Sequence, residues 1–71
     1  NFYMEKFTER FNEALKQTNI SQTELAQKIG ISKQCLSDYK SGKAFPSIRI
    51  LKQLCIVLEI SSDYLLGLTD Y

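Results

Sequence analysis

Seventy-one residues, with nine Lys and Arg against eight Asp and Glu for a net charge of +1, are too few for more than one domain. They are also too evenly charged to bind nucleic acid or a membrane by bulk attraction. One proline, three glycines and no histidine favour helices joined by short turns and withhold the commonest general base and metal ligand.

The first predicted helix runs from about Tyr3 to Gln17. Phe7, Phe11, Ala14 and Leu15 repeat at helical spacing with charged residues opposite, so they are assigned to the core. Phe2 and Tyr3 either pack on the last helix or fray. Thr18-Asn19 ends the helix, and Ile20 stands one residue before the next cap, placed to staple it.

Ser21 to Gly42 reads SQTELAQKIGISKQCLSDYKSG, two short helical patterns broken at Gly30-Ile31. Ser21 with Glu24 three residues on forms a capping box, and Ser32 caps the second helix. Gly30 suits a left-handed turn between them because it has no Cβ to clash. On a helical wheel Leu25, Ala26 and Ile29 share one side of the first helix, with Thr23, Glu24, Gln27 and Lys28 opposite. In the second, Cys35, Leu36 and Tyr39 face inward, and Lys33, Gln34, Ser37, Asp38, Lys40 and Ser41 fill the outer arc. The second helix therefore buries one side and offers the other as a row of donors and acceptors. Ala26 is small where the two helices would cross.

Gly42 is placed to close that second helix, and Lys43 then lies in a loop beside it. Phe45 is expected to anchor this loop in the core. Pro46 forbids helix immediately before it, and Ser47 can cap a fourth helix from about Ile48 to Glu59. Ile50, Leu51, Leu54, Cys55, Val57 and Leu58 make its apolar side, while Ile56 falls among Arg49, Lys52 and Glu59. A fifth helix follows over about Ser62 to Leu66, capped by Ser61 or Ser62, and Gly67 can end it.

Charge is unevenly spread. Residues 21–52 hold six basic residues against Glu24 and Asp38, a net of +4, whereas residues 53–71 hold only Glu59, Asp63 and Asp70, a net of −3. The basic residues thus cluster around the two-helix unit, as a phosphate-facing surface requires. Cys35 and Cys55 fall on apolar sides and are expected to be reduced and buried. No apolar run approaches the ~20 residues of a membrane span and no signal peptide is visible, so the expected location is cytoplasmic. A zinc site needs about four ligands, and nothing in the residue set calls for a cofactor. No cysteine stands beside a plausible base and no glycine-rich phosphate loop is present, so an enzyme is not expected.

A helix, a glycine turn and a second helix with a polar outer side make a helix-turn-helix. Gln22, Leu25-Ala26, Gly30, Ser32, Leu36, Tyr39, Gly42-Lys43 and Pro46-Ser47 strongly resemble the Cro/phage-repressor (Xre-like) helix-turn-helix family over nearly the whole chain. The resemblance implies an all-α, lambda-repressor-like domain of five short helices over residues 1–71, with the helix-turn-helix at about 21–42. It implies sequence-specific binding of double-stranded DNA by a transcriptional regulator, with a repressor the expected mode and homodimerisation, at least on DNA, the expected assembly.

The implied roles follow residue by residue. Lys33, Gln34 and Asp38 match positions that contact bases, with Ser37 beside them. The chemistry agrees: Gln suits adenine N6/N7, Lys suits guanine O6/N7, and Asp can accept from cytosine N4. Gln22 matches a phosphate contact, and Ser21, Ser32 and Lys43 join it. Ile56, Leu66, Leu68 and Tyr71 exceed what a small core needs and are the candidate dimer patch. Three positions depart from the family pattern. Leu15 replaces a frequent arginine, Lys40 an acid that often pairs with it, and Glu59 a common glycine. The alternative is a protein-interaction module on the same fold, of antitoxin or antirepressor type, which would need no base-reading row.

Overall fold

The computed structural model describes residues 4–70, with side chains from residue 6 onward. Phe2, Tyr3 and Tyr71 lie outside the described residues. Five helices follow one another: α1 Met4–Gln17, α2 Gln22–Ile29, α3 Lys33–Ser41, α4 Ile48–Leu58 and α5 Ser62–Leu66.

Local chemistry sets each boundary. Ser21, Ser32, Ser47 and Ser61 precede α2 to α5 in extended conformation. Each Oγ accepts from the amide three residues on, at 3.1, 3.0, 3.3 and 3.1 Å in turn. A cap of this kind contributes about 1 kcal/mol, a large fraction of what any helix of 5 to 11 residues can supply alone. Of the capping box at Ser21 and Glu24, the serine half is present. The same four helices close on a left-handed residue: Gly30, Gly42, Glu59 and Gly67. Glu59 therefore lies just past α4 as its cap rather than within it, and it is the one non-glycine with positive φ among the described residues.

Every helix contributes to one core. Phe7 and Phe11 of α1, Leu25 of α2, Leu36 and Tyr39 of α3, Leu54 of α4 and Leu65 of α5 are buried together. Phe7 and Phe11 stack at 5.4 Å, and Tyr39 meets Phe11 edge-on at 6.3 Å. Phe45 does not sink into the core as expected. It lies edge-on to Phe7 at 6.0 Å and stays 39% exposed, a lid over one aromatic ring. Among the described residues no polar or charged side chain is buried.

The strongest packing joins the two ends of the chain, α1 against α5. Arg10 clasps them. Its guanidinium donates to the Tyr64 carbonyl at 2.7 Å and to the Thr69 carbonyl, and it lies 4.5 Å from the centre of the Tyr64 ring. Asp70 stands 3.9 Å away but is fully exposed, so this ion pair contributes little. At Gly67 the backbone comes so close to α1 that a Cβ would stand 2.8 Å from Lys6 Cβ.

Candidate nucleic-acid interface

Among the described residues, α1 and α2 pack against the inner side of α3. Leu36 and Tyr39 are buried and Cys35 is half-buried. Burial pushes the Tyr39 phenol up to about 12, with the neighbouring Cys35 side chain adding to the shift. The ring therefore stays neutral at physiological pH and serves as a fixed apolar prop. Ala26 is 3% exposed, so α2 and α3 meet across a small residue.

Three further contacts fix the ends of α3. Ser32 caps its start. At its close, the Asp38 carbonyl accepts from the Gly42, Lys43 and Ala44 amides, the last two at 3.0 and 3.3 Å, and from Ser41 Oγ at 3.2 Å. Asn12 of α1 donates through Nδ2 to the Thr8 carbonyl and across to the Lys40 carbonyl, each at 2.9 Å. Asn12 was not among the residues singled out from the sequence. Its signal was a polar residue between the apolar positions Phe11 and Ala14, and its partner lies 28 residues away.

With the inner side locked, the outer row stands clear. Lys33, Gln34 and Ser37 are exposed and Asp38 is half-exposed. Gln34 Nε2 donates to Asp38 Oδ1 at 2.9 Å, so these two residues form a pair rather than two independent side chains. The candidate phosphate ligands surround this row in sequence. Ser21, Gln22, Ser32 and Lys43 are all exposed. The cap bonds occupy a lone pair on Ser21 and Ser32, which leaves each hydroxyl proton free to be donated. Gln22 opens α2, where free amides and the positive dipole end attract an anion.

Gln22 also borders a hollow of about 300 Å³ that it shares with Asn12, Leu15, Lys16 and Lys40. The two family departures at Leu15 and Lys40 therefore meet in one place. A family pair of opposite charges has become an apolar residue beside a lysine, and Lys16 adds a second cation.

The candidate dimer residues are scattered in exposure. Ile56 and Leu68 are 59% and 71% exposed, and Leu66 is half-buried. Ile48, not singled out from the sequence, is 87% exposed and shares a hollow with Ile56 on α4. Among the described residues Cys35 and Cys55 are free thiols, and burial pushes the Cys55 thiol up. No helix among the described residues is long and apolar enough to cross a membrane.

A helix-turn-helix with a capped, one-sidedly buried second helix defines a class, and comparison with known proteins agrees. The model of the helix-turn-helix family matches residues 12–65, and this chain belongs to that family in its Cro/phage-repressor form. It is 39% identical over 62 residues to the HTH-type transcriptional regulator for conjugative element SXT of Vibrio cholerae, covering 87% of this chain and 28% of that protein. It is 37% identical over 62 residues to the cryptic phage CTXphi transcriptional repressor RstR of Vibrio cholerae, covering 87% of this chain and 55% of that protein. The chain thus spans about a quarter to a little over half of these relatives. Among solved structures, the SOS-response transcriptional repressor LexA of Eubacterium rectale superposes with a TM-score of 0.85 over 93% of this chain and 70% of that one. At 24% identity that likeness bears on the fold alone.

Proposed function

We propose that this chain is the sequence-specific DNA-binding domain of a transcriptional repressor. It reads the major groove of double-stranded DNA with α3 and acts as a homodimer on two half-sites about 34 Å apart. The observation that carries the reading is the open row Lys33, Gln34 and Ser37 on a helix whose other side is fixed to the core. Lys33 brings donors and Gln34 a donor and an acceptor for base edges, and Ser37 and Asp38 follow one turn on. Ser21, Gln22, Ser32 and Lys43 supply phosphate contacts, which set register and salt-sensitive affinity without reading sequence. Ile56 and Leu68, with Ile48 beside the former, are the most exposed large apolar residues among those described and are available for self-association. The relatives named as regulators and repressors support the reading, and the cytoplasm is the compartment it requires.

Selection of bound duplexes from a random library tests it. The chain should enrich one sequence, and that sequence should survive competition from excess random duplex. Gln34→Ala should cost about 1–3 kcal/mol at one base pair and relax selection there. Lys43→Ala should weaken all sequences alike and reduce the log–log salt slope by about 0.9. A chain that enriches nothing while remaining folded would be an interaction module instead, and the DNA reading would be withdrawn.

A further inference from the structure

Two local rules disfavour Asp38 in its place, and its bond to Gln34 one turn earlier offsets them in part. Aspartate is a weak helix former, and a carboxylate in the last turn opposes the helix dipole. Asp38 stands in the last turn of α3, Lys33–Ser41. Its backbone is held firmly, because its carbonyl collects the closing amides of the helix. Its carboxylate meets one described partner, the Nε2 of Gln34 one turn earlier, at 2.9 Å. The pair stands on the outer row of α3, with Gln34 exposed and Asp38 half-exposed, where its arrangement would meet DNA.

We propose that Asp38 is a positioning residue that sets the direction of the Gln34 carboxamide and so makes that side chain select adenine over guanine. The proposal rests on the reading of α3 given above and concerns how one of its positions discriminates. An ionised carboxylate only accepts, so the amide end of Gln34 must face it. The reverse orientation would set Oε1 against Oδ1, acceptor against acceptor. The carboxamide is thereby held in one of its two flipped states before DNA arrives.

That state matches adenine. Gln34 Nε2 carries two protons. The one pointing away from Oε1 serves Asp38. The other lies on the same edge as Oε1, and this edge donates to adenine N7 while accepting from adenine N6. Three hydrogen bonds are then made at once with no proton shared. Guanine presents two acceptors, N7 and O6. It would need both amide protons, one of which is committed, and its O6 would face Oε1. Without Asp38 the carboxamide turns freely and either purine can be met. Asp38 thus shapes selection at the base pair of Gln34 rather than reading a separate base of its own.

The test is selection from a random duplex library by the unaltered chain and by Gln34→Ala, Asp38→Ala and Asp38→Asn, each checked for folding by circular dichroism. The unaltered chain should enrich a site with one adenine position that Gln34→Ala flattens. Asp38→Ala should weaken that same position without erasing it, lowering the adenine-to-guanine preference roughly twofold, what one exposed pair a turn apart on a helix is worth, while other positions and the salt slope are kept. Asp38→Asn keeps an oxygen acceptor but can itself flip, so its preference should fall between the two. In the free protein, the Gln34 side-chain amide resonances should move in Asp38→Ala. A Gln34-dependent position that Asp38→Ala leaves at full strength, or loss at a different base pair, overturns the proposal and leaves the reading of α3 standing. If the unaltered chain enriches no site, the reading of α3 falls and takes the proposal with it.

Discussion

The chain turns from α2 into α3 through Gly30-Ile31-Ser32 and from α4 into α5 through Glu59-Ile60-Ser61. The amides of Gly30 and Ile31 both donate to the Ala26 carbonyl, and those of Glu59 and Ile60 both donate to the Cys55 carbonyl. The serine then caps the next helix in each case, at 3.0 and 3.1 Å. Ile31 and Ile60 pack on the core one residue before the cap, and Leu36 and Leu65 are buried at the matching fourth helical position. That spacing is the hydrophobic staple. The difference is the left-handed residue itself, Gly30 at φ 85° in the first turn and Glu59 at φ 56° in the second. A Cβ in this region costs about 1–2 kcal/mol. Cap, staple and paired amides are therefore strong enough to hold a side chain where glycine is preferred. The turn that aims α3 carries no such strain, whereas the turn on the far side of the sequence does.

Gly67, which closes α5, extends the comparison to a case where space as well as φ matters. Gly67→Ala should have the largest effect. The φ penalty of about 1–2 kcal/mol is joined by a Cβ pressed to 2.8 Å from Lys6 Cβ, and crowding of that kind adds about 1–3 kcal/mol. After about 0.4–1 kcal/mol is deducted for the stiffer unfolded chain, thermal unfolding should show a loss of about 1–4 kcal/mol. A loss under 1 kcal/mol would mean that α1 and α5 separate easily and that the Arg10 clasp does not hold them.

Gly30→Ala isolates the φ term, because nothing lies within 4 Å of a Cβ built there. It should cost about 1–2 kcal/mol of φ strain, less about 0.4–1 kcal/mol for the stiffer unfolded chain, a net loss of up to about 1.5 kcal/mol and several degrees in the midpoint. An unchanged midpoint would show that the turn before α3 tolerates a side chain as well as its counterpart does, and the contrast between the two turns would vanish.

Most of this architecture was legible because it is local. Serine caps, closing glycines and apolar spacing each act within five residues, and they located the starts and ends of α2 and α3, the end of α5 and the outer row of α3. The pattern Ile-Ser followed by Leu four residues on occurs at Ile20-Ser21-Leu25, Ile31-Ser32-Leu36 and Ile60-Ser61-Leu65. Used three times over, it would have assigned the α5 cap to Ser61 and placed Glu59 outside α4. What escaped depends on partners far along the chain. Arg10 counts from the sequence only as part of the charged side of α1, yet its side chain is 13% exposed and bonds carbonyls 54 and 59 residues away. Asn12 escaped for the same reason. Asp38 was placed on the outer row from the sequence, but its bond to Gln34 was not: wheel geometry sets the two side by side without saying that they pair.

Glu59→Gly is the smallest expected change and the most direct probe of the contrast. Removing the Cβ releases about 1–2 kcal/mol of left-handed strain, but glycine also frees the unfolded chain by about 0.4–1 kcal/mol. The net gain should be a few tenths to about 1 kcal/mol, a midpoint higher by a few degrees. Glu59→Ala keeps the Cβ and removes the carboxylate, so it should give no gain. Glu59 borders two adjoining hollows, both lined by Ala14 and Gln17 of α1 and by Ile60. If its side chain stabilises the fold there, both variants should lose stability together. A gain confined to glycine assigns the whole effect to the backbone, and the turn after α4 then stands as a strained copy of the one before α3.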